Sequence, residues 1–365
     1  MNIKKIVDYS LDRIHIISRK RGVKKNNKHY FKMLSQSGVK IRRLSKEQKR
    51  QVDAIYKKYG LKYSYATHEL VYSVTGEFNP EIVPEDAFRT QIEIYLNDYD
   101  SKYVLSDKSY FDVFMPKLKF PDTIVRNIEG NFYDADYNVI TSEKAKEIID
   151  FYDKVVFKPS TESGFGRSVE LVDTKEKNPL EFSKKNYVIQ KVIKQHQALS
   201  LLNESSVNVC RMETIFIDGE VHVITAALRI GGVGSFTDNN ISKDGKGMII
   251  IGVDENGKLL KRGYYSCGLS TTCNPKGIEF EGYVLPEYDK MVEIAKKGHQ
   301  LYPRVKFIGW DFCVDEQGEV ICMEYNIKGP GVLYYQYANG SLLGKHTQKV
   351  CEFAKKEKKK RSIFR

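Results

Sequence analysis

Near the end of the chain, Gly309-Trp310-Asp311-Phe312-Cys313-Val314-Asp315-Glu316-Gln317-Gly318-Glu319-Val320-Ile321-Cys322-Met323-Glu324-Tyr325-Asn326 reads as a β-hairpin that carries three oxygen ligands. Two runs rich in strand formers flank a turn at Gln317-Gly318. With an even number of loop residues, Asp311 falls opposite Glu324, and directly opposed residues share a face. Asn326 joins them, because residues two apart on a strand point the same way. Two carboxylates and an amide oxygen suit magnesium, a hard cation that also keeps waters and phosphate oxygens around it. The alternative is a solvated polar face. The apolar neighbours Trp310, Phe312, Ile321 and Met323 weigh against that, since carboxylates among them are costly without a compensating cation.

A phosphate site requires further groups upstream. Asp153 to Lys158 reads as a strand that stops at Pro159, and a small polar loop follows, Ser160-Thr161-Glu162-Ser163-Gly164-Phe165-Gly166-Arg167-Ser168. The backbone N–H groups of such a loop, at Ser163, Gly164 and Gly166, can wrap phosphate oxygens, while Lys158 supplies a point charge. An ordinary hairpin loop has the same composition. Lys108 opens a helix predicted from a Ser106-Asp107 cap through Lys117, where a cation and free N–H groups favour an anion. A surface lysine is the plainer reading of that residue alone.

The order of these groups (Lys108, Lys158 with its loop, a strand, then the acidic hairpin followed by Lys328-Gly329-Pro330-Gly331) resembles the ATP-grasp superfamily over about residues 105–340. The resemblance implies two lysines near the phosphates of ATP and a hinge strand at the adenine. It also implies an acid-acid-Asn set for magnesium, Asp311, Glu324 and Asn326, with two ions expected. On this basis Gln190-Lys191-Val192-Ile193 is the hinge, with Gln190 where many members have Glu, and Lys191 and Ile193 beside the nucleotide. Gln197 falls where a ribose-binding Glu often sits, and His196 competes for that role.

Further segments resemble the sugar-transfer-associated branch: His196, Leu202-Asn203, Ser206-Val207-Asn208-Val209-Cys210-Arg211, Ala227-Leu228-Arg229-Ile230-Gly231, Asp238-Asn239 and Gly245-x-Gly247. Cys210 stands where Thr is usual. That branch is linked to capsule and cell-surface polysaccharide synthesis. The implied activity is a carboxylate–amine ligase that works through an acyl phosphate, joining an amino acid or amine to a sugar. Arg229 is the first candidate to hold the transferred phosphoryl group and Arg211 the second, with Lys158 assisting. On strands, either arginine is equally an ordinary cross-strand partner. A kinase acting on a sugar hydroxyl and a non-catalytic basic polyanion-binding protein are the competing readings.

The elements that position these groups read as α+β. Residues 1–100 are mainly helical, with Gly22, Gly38 and Gly60 as helix stops. Strand signals dominate 187–265, where Asp218-Gly219 and Asn256-Gly257 mark hairpin turns. A helix from about Pro286 to Leu301 precedes the acidic hairpin. Antiparallel hairpins with helices set apart argue for α+β layers rather than a doubly wound parallel sheet. With the resemblance, this becomes an ATP-grasp fold: a basic helical region over 1–100, a first part with the phosphate loop over 101–185, a catalytic part with hinge and hairpin over 186–350, and a basic tail over 351–365.

Charge is uneven. The chain carries +12 overall; residues 1–60 hold 18 Lys or Arg against 4 Asp or Glu, and residues 351–365 hold 7 against 2. Basic ends of this kind suggest an acidic partner, an anionic glycan or a membrane surface ahead of nucleic acid, unless they are only solvated helical faces. No apolar run approaches a membrane span and no signal-peptide pattern follows Met1. The six cysteines form no C-x-x-C pair. The expected location is the cytoplasm, with peripheral contact at the inner membrane face.

Overall fold

The computed structural model describes residues 3–97, 101–161, 169–181, 185–237, 246–360 and 362–363. Two antiparallel sheets dominate it, as the hairpin signals predict. The first contains β1 (Thr123–Ile128), β2 (Asn131–Tyr133), β3 (Val139–Ile140), β4 (Lys154–Pro159), β5 (Glu170–Asp173) and β6 (Tyr187–Lys191), in the order β3-β2-β1-β6-β4-β5. The second contains β7 (Val209–Ile217), β8 (Glu220–Ile230), β9 (Ile249–Val253), β10 (Leu259–Tyr265), β11 (Ser270–Thr271), β12 (Phe307–Val314) and β13 (Val320–Asn326), in the order β11-β10-β9-β8-β7-β12-β13. The architecture is α+β. The turn residues act as their types require: Asp218 and Gly219 both have positive φ at the β7–β8 hairpin, as does Gly257 between β9 and β10.

Alternation along the strands of the second sheet separates a core face from a polar face. Cys210, Met212, Leu228, Ile251, Trp310 and Phe312 enter the largest hydrophobic core, together with Met291 and Ala295 of the helix Tyr288–Gln300. Arg211 and Glu213 alternate with them and so lie on the opposite face. There the helix Leu333–Asn339 packs closely. A Cβ at Gly252 would meet the Ala338 carbonyl oxygen at 2.7 Å, so only glycine admits the helix at that distance.

The N-terminal helices differ from expectation in one respect. Gly22 does not stop a helix; Ile3–Gln36 runs through it unbroken, and a side chain there would meet nothing within 4 Å. Gly38 and Gly60, with φ of 78° and 73°, do follow helix ends. The helix expected from Asp107 to Lys117 is shorter. Asp107 caps it through the Ser109 amide, but only the 3-10 turn Lys108–Tyr110 and the helical turn Phe111–Phe114 form.

These N-terminal elements are built into the second sheet. Val83, Phe88, Ile92 and Leu96 share a core with Ile215, Phe307 and Leu342. Buried Asn97 acts as a clamp there. Its amide nitrogen donates to the carbonyl oxygens of Phe307 and Ile327, and its oxygen accepts from the amides of Lys306 and Phe307. One side chain thereby ties the start of β12 to the end of β13. Removing it leaves buried backbone groups unsatisfied, so Asn97→Ala should lower unfolding free energy by about 3 kcal/mol. Urea denaturation checks this; a loss within about 0.5 kcal/mol would make the clamp dispensable.

Candidate functional site

The acidic hairpin forms in the expected register, by an unexpected route. Val314 pairs with Val320, which leaves a five-residue loop, 315–319. An odd loop alone would set Asp311 opposite Met323. A bulge at Met323, between the Phe312–Cys322 and Asp311–Glu324 pairs, supplies the missing residue and brings Glu324 opposite Asp311. Asp311 also lies opposite Arg211 of β7. Arg211, Asp311 and Glu324 therefore form one row across three adjacent strands, flanked by Arg229 on β8 and Asn326 on β13.

Asp311 is the buried centre of this row. Its carboxylate accepts from Arg211 Nε at 2.6 Å and Nη2 at 2.9 Å, from Arg229 Nη2 at 2.9 Å and from Asn326 Nδ2 at 3.2 Å. Burial would raise the carboxyl's pKa, but Arg211 and Arg229 hold it below the usual carboxylate value. The compensating charge expected from a metal ion is thus supplied by two guanidinium groups. Gly309 makes room for one of them: a Cβ there would stand 3.2 Å from Arg211 Nη1. The helix Leu333–Asn339 supports both, with the Tyr335 hydroxyl accepting from Arg229 Nη1 at 3.3 Å and its ring 5.4 Å from the Arg211 guanidinium carbon.

Glu324 is half-buried and faces the first sheet, with Lys108 Nζ 3.6 Å from Oε2. Between the sheets lies an open cleft. Lys108, Lys158, Arg229, Asp311 and Glu324 line its charged part, and Val156, Ile193, Val207, Val209 and Met323 its apolar part. Gln190 pairs in register with Thr123 and Val156, and so shares the face of Val156. Its Nε2 donates to Thr123 Oγ1 at 3.0 Å, while its buried Oε1 has no hydrogen-bond partner. Gln190 lines an adjoining cavity, with Thr123, Lys191 and Met323, rather than the cleft itself.

A divalent cation fits one part of this set better than another. Asp311 already accepts four hydrogen bonds, as many as a carboxylate ordinarily takes. Glu324, open to the cleft, is the carboxylate that meets a hard cation first. Asn326, two residues further along the strand, shares its face, while Asp311 would reach a cation only in exchange for one of its present partners.

Several sequence expectations land elsewhere. His196 does not line the cleft; it caps the helix Gln197–Leu202, accepting from the Ala198 amide on Nδ1 at 3.1 Å. Gln197, in the first turn of that helix, is exposed and also outside the cleft. The chain leaves the hinge strand after Lys191 and is drawn to the hairpin, with the His196 amide bonded to the Val314 carbonyl and the Glu316 amide to that of Lys194. Lys191 borders the cleft, but its ammonium pairs with Asp122 at 3.0 Å. Arg211 is absent from the cleft wall and acts by holding Asp311. Ser163, Gly164, Gly166, Asp238, Asn239 and Gly245 lie outside the described residues.

The polar motif between the hinge and β7 has a structural role. Gln195 was not foreseen as its organiser: Nε2 donates to the Asn203 and Ser206 carbonyls, and Oε1 accepts from the Asn208 amide. Asn203 Nδ2 donates to the Gly231 carbonyl. This knot joins the segment after β6, the start of β7 and the end of β8, which fixes Arg211 and Arg229 relative to the first sheet. Cys210, Cys313 and Cys322 are buried thiols whose pKa values burial raises, as suits small apolar groups.

The family model described as sugar-transfer associated ATP-grasp matches residues 178–352. No curated protein matches the chain. Among solved structures, the ATP-grasp ligase PsnB complexed with minimal precursor is similar at 11% identity and a TM-score of 0.40, over 70% of this chain and 63% of that one. N5-carboxyaminoimidazole ribonucleotide synthetase from Thermotoga maritima matches at 12% identity and 0.39, over 68% and 49%. D-alanyl-alanine synthetase A from Vibrio cholerae O1 biovar eltor matches at 10% and 0.39, over 69% and 66%. The chain spans less than two thirds of PsnB's length.

Beneath the row, Glu213 is fully buried, and neither carboxyl oxygen has a hydrogen-bond partner. Burial pushes its pKa up to about 8, with Arg211 opposing and Asp311 reinforcing the shift. The folded state therefore keeps a proton that the unfolded chain releases near its ordinary value of 4.5. Stability should fall as pH rises from about 4.5 towards 8, by a few kcal/mol in all. Glu213→Gln should flatten that slope. Unfolding curves across the range, compared with the parent's, check this; parallel slopes would show that Glu213 is ionised in the fold.

Proposed function

We propose that this chain, whose residues 178–352 belong to the sugar-transfer-associated ATP-grasp family, is an ATP-dependent carboxylate–amine ligase of surface-glycan synthesis. The observation that carries the reading is the meeting of Lys108 and Lys158 with Glu324, Asp311 and Arg229 in one cleft beside an apolar slot. Val156 and Met323 would hold the base of ATP in the apolar part of that cleft, and Lys108 and Lys158 would meet its phosphates. Glu324, Asn326 and Asp311 would hold magnesium, which would neutralise phosphate charge.

The chemistry needs positioning and charge more than a covalent nucleophile. A substrate carboxylate oxygen attacks the γ-phosphorus and ADP leaves; an amine then attacks the acyl carbon and phosphate leaves. Arg229 contacts Asp311 and lines the cleft, which makes it the guanidinium able to reach the transferred phosphoryl group. Arg211 is a positioning residue, and Lys158 neutralises charge from the first sheet. The family's description favours a sugar as one partner, joined to an amino acid or small amine. The cytoplasm supplies the ATP, and its reducing conditions suit the six free cysteines.

Glu324→Ala should abolish turnover with little change in unfolding midpoint, since Glu324 is half-buried and its cation contact is long. Lys158→Met should weaken ATP use by about a hundredfold or more, as removal of a phosphoryl-stabilising group does. Near-parental turnover in either variant removes that residue from the site. Magnesium–ATP turnover against uronic acids and amino sugars paired with amines, followed by product mass, tests the reaction itself. An amide product with ADP supports the ligase; a stable phosphorylated sugar supports a kinase instead.

A further inference from the structure

The solvent-facing side of the helix Ile3–Gln36 has a composition that its packing does not use. Asp12, Val23, Asn27 and Leu34 are buried against the body, and Arg19 is held on the same side. The opposite arc carries Leu11, Ile14 and Ile17, which are 49%, 65% and 47% exposed. Continuing along that arc, Arg13, Lys20, Arg21, Lys24, Lys25 and Lys28 are all exposed. From residue 10 to 36 the single acidic residue is the buried Asp12.

A second basic segment is fastened to the buried side of the same helix. Asp12 accepts from the Ile363 amide on both carboxylate oxygens, at 3.0 and 3.2 Å, across 351 residues of sequence. Ile363 is fully buried in the core against which Ile16 packs. Lys360, three residues earlier, lies within about 11 Å along the chain of that anchor. Lys355, Lys356, Lys358, Lys359 and Lys360 are all exposed on the helix Thr347–Lys360 that leads to this anchor.

We infer that this exposed arc of the helix Ile3–Gln36 docks on an anionic lipid bilayer, with Leu11, Ile14 and Ile17 entering the headgroup–acyl boundary and the lysines meeting acidic headgroups. Exposed aliphatic side chains interspersed with lysines, on a helix of low overall hydropathy, suit contact with a bilayer surface rather than a span. Each basic residue near an anionic surface adds a favourable increment. A soluble polyanion would use the charge but leave the three exposed aliphatic side chains without purpose. A second copy would have to bring two strongly basic faces together, which like-charge repulsion opposes.

The helix is held in a fixed orientation. Arg19 Nη1 donates to Glu93 Oε2 at 2.9 Å and to the Arg89 carbonyl at 2.7 Å. Glu93 also accepts from the Gly329 amide, in the loop that leaves Asn326. The docking face and the carboxylate row thus belong to one connected body.

Sedimentation of the full chain with vesicles tests the inference without any assay of turnover. Binding is expected to phosphatidylcholine vesicles containing phosphatidylglycerol, weakened by salt, and not to phosphatidylcholine alone. Leu11→Ser/Ile14→Ser/Ile17→Ser should lower partitioning by about tenfold or more, and Lys24→Ala/Lys25→Ala by about fivefold per lysine. Because all five positions are exposed, unfolding midpoints should stay near the parent's. No binding, or equal binding to neutral vesicles, would overturn the inference. So would anionic binding untouched by the triple serine variant and fully competed by soluble heparin, which would indicate a polyelectrolyte surface. A concentration-dependent dimer abolished by the serine variant would assign the face to a second copy instead.

Discussion

The placement of every other group at this site depends on a buried carboxylate, Asp311, held between two arginines. An ionised carboxylate in so apolar a setting persists only when paired, and removing one partner of such a pair typically costs about 3–5 kcal/mol. Arg211 and Arg229 come from neighbouring strands, so their shared partner also fixes how β7, β8 and β12 are aligned. Gly309 and Tyr335 then follow as consequences: one gives Arg211 room, and the other stacks beneath it and accepts from Arg229. The bulge at Met323 has the same logic on the far side. Without it Glu324 would face the core and Met323 would stand opposite Asp311.

Two sets of restraints keep this row against the first sheet. The segments that leave β6 and approach β1 are both bonded to the hairpin, through Lys194 with Glu316 and through Lys119 with Asp315 and Cys322. Those contacts lie on one side of the cleft. On the other, the N-terminal helices grip the strand ends through Asn97 and the Glu93–Gly329 contact. The N-terminal region, which carries no recognisable catalytic motif, is therefore structural support for the site.

Local chemistry made the hairpins and the acidic pair legible, because turn residues and alternation act over a few positions. Asp218-Gly219 and Asn256-Gly257 formed turns from such signals, whereas the Asp311–Glu324 pairing, expected from an even loop, was reached through the bulge at Met323. The partner of Asp311 was harder to read. Arg211 and Arg229 lie 100 and 82 residues away, and nothing in their own strands distinguishes an arginine that faces solvent from one that faces a buried acid. Gly22 misled for the opposite reason: a single exposed glycine costs a helix about 1 kcal/mol, which the packing of Val23, Asn27 and Leu34 outweighs. His196 and Gln197 were placed by family order alone. The hydrogen bonds that draw their backbone to Val314 and Glu316 involve residues more than a hundred positions away.

Charge on the second sheet is balanced within the row itself. Arg211 and Arg229 together exceed Asp311 by one positive charge, and Glu324, one strand further on, offsets that excess through the field of the row. Glu213, kept protonated by burial, adds no further negative charge beneath it. The second sheet is thus close to neutral at this site. Lys108 and Lys158 belong to the other wall, where Lys108 Nζ lies 3.6 Å from Glu324 Oε2. Glu324 is thus the carboxylate through which the charged groups of the two walls meet, and its position opposite Asp311 sets where that meeting occurs.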